Sequence, residues 1–168
     1  MVAVRKLEPP DLHHLNAAVG WLELGKPAES RIELDRIAPE HRTHPAVLDV
    51  RWRICAVVKD WLGALDAAER LIDLDPKNPC GWINQSYSLH ELGMTAKALD
   101  RLLPVAEKFP SNAFVHYNLA CYACQLGNLQ DARSWLEAAI RIKGRKRIRQ
   151  MALSDPDLKP LWGEILKF

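Results

Sequence analysis

The sequence is short of the features that usually announce chemistry. Four cysteines in 168 residues are too few and too scattered for a disulfide scaffold. Only 8 glycines and 11 prolines are present, with 26% charged residues, which excludes collagen-like and low-complexity chains. The longest uncharged stretch, 109–130, holds three Asn, two Gln, a His and a Ser, so it reads as no membrane span. Residues 1–8 contain no long apolar run of the kind a signal peptide needs. There is no GxSxG, no P-loop, no GxGxxG and no HExxH. The expectation is a soluble chain in a reducing, cytoplasmic setting.

Apolar residues are plentiful at 48%, enough for the core of one domain. The net charge of +2 hides an asymmetry. Residues 1–140 carry 15 Lys and Arg against 18 Asp and Glu, net −3, while residues 141–168 carry 8 against 3, net +5. Six of those cations fall within nine positions: Arg141, Lys143, Arg145, Lys146, Arg147 and Arg149.

An internal period decides the organisation. Gly93 and Gly127 lie 34 residues apart, Gly25 lies 68 before Gly93, and Lys59 stands at the missing place. Ser30, Ala64, Ala98 and Ala132 repeat at 34, as do Ala18, Trp52, Ser86 and Ala120, and Pro76 and Pro110. The units are 11–44, 45–78, 79–112 and 113–146. Each reads as two helices. In the last, Phe114, Tyr117, Leu119, Ala120 and Ala123 form one apolar stripe, Gly127-Asn128 turns the chain, and Ala132, Leu136, Ala139 and Ile140 form the second. Small residues recur where the paired helices would cross. After residue 144 the register ends, and the spacing predicts a helix over 145–153 with Ile148, Met151 and Ala152 turned inward. Ser154-Asp155-Pro156 is a helix-start signal, and Pro160 predicts a turn before a last short helix. At the other end Asp11 is a candidate N-cap.

These anchors resemble the tetratricopeptide repeat (TPR), through Trp82, Ser86, Gly93, Ala98 and Pro110 in the third unit and His116, Leu119, Ala120, Gly127 and Ala132 in the fourth. The resemblance implies an all-α fold: four helix-turn-helix repeats in a right-handed superhelix, with C-terminal capping helices over 145–168. Trp52 departs from the pattern where a small residue belongs, so the second helix pair is expected to be opened or rotated. Pro104 is expected to kink its helix.

Candidate chemistry is sparse. Cys121 and Cys124 make a CxxC in mid-helix, away from the helix start that would activate a thiol. A zinc site needs four ligands; Cys80 and His116 are the nearest further candidates, and the count stays short. The CxxC therefore reads as two soft groove-lining residues. Of the histidine clusters His13-His14 and His41–His44, the second reads as a solvated linker rather than a ligand set, and Asp155 and Asp157 read as cap residues. No catalytic residue, metal or cofactor is expected.

The resemblance to TPR proteins implies a concave groove built by the first helix of each unit, binding a protein partner. The groove places fall on Asn16, Asp49, Arg53, Asn84, Tyr87, His90, Phe114, Tyr117 and Asn118, among apolar neighbours such as Leu12, Leu15 and Val19. Aromatics and an Arg without any Lys suit an interface. Pentatricopeptide-type RNA reading is disfavoured by the acidic body. Arg145, Lys146, Arg147 and Arg149 offer a docking surface for an acidic tail, nucleic acid or anionic membrane surface, against the alternative of a solvated helix face. Segments His13–Gly25 and Asp155–Trp162 resemble stand-alone bacterial TPR proteins, including kinesin-light-chain-like proteins that accompany bacterial tubulin. That resemblance implies a cytoskeletal accessory binding a tubulin-like filament.

Overall fold

The computed structural model describes residues 6–167, and among these there is no strand. The chain divides into two compact units, up to Ser88 and from Leu89 onward. The first unit contains α1 (Asp11–Glu23), α2 (Pro27–Asp35), α3 (Pro45–Val57), α4 (Trp61–Leu74) and most of α5 (Pro79–Glu91). The second contains the end of α5, then α6 (Thr95–Lys108), α7 (Ala113–Gln125), α8 (Leu129–Lys143), α9 (Arg145–Leu153), a 3₁₀ turn (Pro156–Leu161) and α10 (Trp162–Ile165).

The 34-residue period marks one repeated turn. Gly25, Gly93 and Gly127 have φ of 71°, 78° and 83°, and Lys59, the non-glycine at the fourth place, has φ of 59°. Each reverses the chain after a first helix through the same pair of hydrogen bonds. Lys26 N–H donates to Trp21 O and Gly25 N–H to Leu22 O; Asp60 and Lys59, Met94 and Gly93, and Asn128 and Gly127 repeat the pattern. This is the Schellman closure, which needs a left-handed residue just beyond the helix.

Packing follows the other anchors. Ser30, Ala64, Ala98 and Ala132 are fully buried, as are Ala18, Ser86 and Ala120. Ser30 Oγ donates to Ala18 O at 2.7 Å, joining α2 to α1 through a backbone carbonyl. Trp52 does not open the second pair. Its ring turns toward α5, where Nε1 donates to Ser88 Oγ at 3.0 Å, and Ala64, Ala67 and Ala68 of α4 stay fully buried. α6 runs from Thr95 to Lys108 with Pro104 inside it.

The core of the first unit gathers Leu7, Leu15, Ala18, Leu34, Ile37, Val47, Val50 and Ile54, with Leu12 and Val19 packed against it. Leu7 thus covers the start of the α1 face. Asp11 is not the N-cap of α1, a place taken by Pro10. Instead its carboxylate is buried, accepts from Ala38 N–H at 3.1 Å and pairs with His41 Nδ1 at 2.5 Å. The His41–His44 segment is therefore structural rather than a solvated linker. His44 caps α3 by accepting from Ala46 N–H, and His14 pairs with Glu33 at 2.8 Å.

In the second unit α9 turns Ile148 and Ala152 inward, and the 3₁₀ turn and α10 add Leu158, Leu161 and Ile165, all at most 1% exposed. Trp162 Nε1 donates to Ala152 O at 2.8 Å, and Arg133 grips Glu164 at 2.6 and 2.7 Å.

Lys59→Gly should stabilise the chain by about 1 kcal/mol, because only a side chain makes that φ costly; a higher Tm in thermal denaturation checks it. Ala132→Phe should destabilise by about 1–3 kcal/mol by overpacking a closed crossing, visible as a lower urea midpoint. Asp11 is held below the usual 3.8, chiefly by the His41 hydrogen bond and then by Ala38 N–H. Its stabilisation is present above pH 3.8 and fades as pH falls through the lowered folded value. Asp11→Asn should flatten that part of the acid limb of a Tm–pH profile.

Candidate functional site

The groove places of the first unit lie on α1, α3 and α5. Asn16 is exposed, Asp49 and Arg53 are half-buried, and Asn84 is buried. Cys80 donates to Asp49 Oδ1 at 3.5 Å, and Asn84 Nδ2 contacts Cys80 Sγ at 3.7 Å, so α3 and α5 share a short polar chain here. Burial, with Asp49 second, pushes the Cys80 thiol up to about 11, leaving it protonated and inert at neutral pH. Tyr87 stands edge-on to both Trp52 and Trp61, with ring centroids 6.1 and 5.8 Å away. Arg53 makes no ion pair among the described residues.

Two groove places of the second unit, His90 and Tyr117, are held by the chain itself. The segment from Asp155 to Leu158 lies against α7. Tyr117 is only 5% exposed, and its hydroxyl donates to Asp155 Oδ2 at 2.8 Å. Cys121 Sγ donates to the same oxygen at 3.5 Å, and Gln125 Nε2 donates to the Asp157 carbonyl at 2.9 Å. His90 contacts Asp157 Oδ2 through Nε2 and Thr95 Oγ1 through Nδ1, each at 3.0 Å, with its ring against Tyr122. Tyr117 and His90 are thus engaged within the chain. Asn118 is half-buried and Phe114 exposed, with Lys143 Nζ 3.5 Å above the Phe114 ring.

The electrostatics follow from this cover. Burial raises the Tyr117 hydroxyl, the Cys121 thiol and the Cys124 thiol above their ordinary values, and Asp155 and Asp157 add to it. The hydrogen bond from His90 to Asp157 raises the imidazole pKa against the opposing effect of burial. Cys121, Asp155 and Asp157 place a sulfur and two carboxylate oxygens within 4.8 Å of one another. In the sequence Asp155 and Asp157 read as cap residues only. Asp155 does cap the 3₁₀ turn, accepting from Asp157 N–H at 3.0 Å, but both carboxylates also face α7. The signal available in the sequence is the acid-proline-acid run just after the repeat register ends.

Arg145, Lys146 and Arg147 are exposed on the first turn of α9 and make no ion pair among the described residues; Arg149 is half-buried and donates to Leu166 O at 3.2 Å.

Comparison with solved structures places the architecture. TTC0263, a thermophilic TPR protein of Thermus thermophilus, matches with a TM-score of 0.73 at 18% identity, over 94% of this chain and 90% of its own. The fold is that of the TPR proteins. MamA from Desulfovibrio magneticus RS-1, residues 41 to the end, matches with a TM-score of 0.71 at 16% identity over 96% of each chain. MamA of AMB-1 gives 0.65 at 14% identity, over 94% of this chain and 91% of its own. No protein-family model matches the sequence, and no curated protein matches it significantly. The chain thus has an all-α TPR fold, and among the described residues no helix is long and apolar enough to cross a membrane.

Tyr117→Phe removes one hydrogen bond to a carboxylate while keeping the ring. It should cost about 1.5–3 kcal/mol of stability, with faster amide exchange over 155–161 as the local signature.

Proposed function

We propose that the protein is a non-catalytic interaction module that holds a segment of a protein partner on the α1–α3–α5 face of its first unit. The observation behind this reading is the unequal cover of the groove places. In the second unit Tyr117, Cys121 and His90 are taken by Asp155 and Asp157. In the first unit Asn16 is exposed, and Arg53 is half-buried with no ion pair among the described residues. A half-buried guanidinium on the same face as the aromatic Tyr87 is the residue chemistry of an interface anchor. TPR proteins as structural neighbours support a protein partner in general.

The basic run Arg145, Lys146, Arg147 and Arg149 is proposed as a second contact for an acidic surface of that partner. Its first three side chains are exposed and make no ion pair among the described residues, so charge complementarity is their means of attraction. The narrower reading, a tubulin-associated or membrane-associated accessory, rests on segments 13–25 and 155–162. Both have work inside the fold, through His14–Glu33 and through the cover of α7, and this leaves the reading without a structural observation of its own.

Affinity capture with the intact chain identifies the partner. Arg53→Ala should then weaken binding by about 1–3 kcal/mol with Tm unchanged. Changing Arg145, Lys146, Arg147 and Arg149 to Ser should flatten the salt dependence of binding, since exposed charges act over a Debye length of about 8 Å. Binding indifferent to Arg53→Ala would remove the first-unit face from the interface.

A further inference from the structure

We propose that Cys121, Asp155 and Asp157 bind one divalent transition-metal ion of the zinc type, tying the C-terminal turn to α7. The three side chains come from two elements more than thirty residues apart in sequence, yet their ligand atoms converge within 4.8 Å. It is the one such convergence of His, Cys, Asp or Glu among the described residues. The donor set is specific. A thiolate excludes calcium and magnesium, which take oxygen ligands, and suits zinc or cobalt(II).

The geometry is that of a site closed by protons. Bond lengths of about 2.3 Å to sulfur and about 2.0 Å to oxygen at a tetrahedral angle set the two atoms about 3.5 Å apart. Cys121 Sγ and Asp155 Oδ2 are 3.5 Å apart. Cys121 is 4% exposed, and its thiol has only that one long contact as a hydrogen bond. No Lys or Arg pairs with Asp155 or Asp157 among the described residues; His90 pairs with Asp157, and Asp155 accepts from Tyr117 and Cys121. A divalent ion would add positive charge where the two carboxylates converge. On binding, the Cys121 S–H proton leaves to solvent, the thiolate and one oxygen of each carboxylate become ligands, and water completes the shell. Nothing is oxidised or reduced. His90, donating to Asp157, and Tyr117, donating to Asp155, would then orient the ligating carboxylates from outside.

The test uses the full chain, reduced and freed of metal. Cobalt(II) titration should give a sulfur-to-cobalt absorption band at one equivalent, and zinc should displace it. Cys121→Ser and Asp155→Asn should each lower zinc affinity at least tenfold in calorimetry. Cys124→Ser, one turn along the same helix, should keep both the band and the affinity. Zinc should also raise the Tm of the wild-type chain and leave that of Cys121→Ser unchanged; the Tm scan shows directly that each variant folds. Absence of a sulfur-to-cobalt band in the folded wild-type chain, or its persistence in Cys121→Ser, would overturn the proposal. The cluster would then be a hydrogen-bonded clasp of the kind already described.

Discussion

The left-handed residue after each first helix is the constraint on which this structure depends. At Gly25, Lys59, Gly93 and Gly127 the backbone takes a positive φ, and two hydrogen bonds close the helix end before the chain reverses. At Gly25 that reversal lays α2 back on α1, where Ser30, five places later, donates to the carbonyl of Ala18, seven places earlier. Only Ser or Ala occupies the later place, and each is fully buried. Turn and crossing are therefore one device, repeated at intervals of 34 residues. Lys59 shows that the turn is imposed by the surrounding packing, because its side chain disfavours the conformation it adopts.

Most of this architecture was legible in the sequence because its determinants are local and periodic. Turn residues, small crossing residues and apolar stripes all recur within one unit. What was not legible depends on contacts between distant segments. Asp11 looks like a cap, yet its carboxylate bridges to Ala38 and His41, which lie 27 and 30 residues on. Trp52 breaks the small-residue rule, and its relief comes from Ser88, 36 residues away. No period encodes such pairs.

The candidate site divides the same way. The groove places come from the TPR resemblance laid onto the register, so Asn16, Asp49, Arg53, Tyr87 and Tyr117 could be listed from the sequence. Which of them face solvent could not, since that depends on where the last residues return. Asp155 and Asp157 lie beyond the repeat, where the register says nothing, and they change the standing of His90, Tyr117 and Cys121 together. A reading of a repeat protein from its repeats alone misses what its caps do.

The return of the C-terminal turn also bears on how the second unit comes apart. Helical repeats ordinarily hold only their nearest neighbours, which lets an array fray from its ends one helix at a time. Here the hydrogen bond between His90 and Asp157 spans 67 residues, and that between Tyr117 and Asp155 spans 38. The start of the 3₁₀ turn is thus fastened to the beginning and the middle of its unit. Loss of the terminal helices removes cover from α7, and loss of α7 removes the seat of the terminal turn. The two ends of the unit are therefore coupled, and loosening one weakens the other.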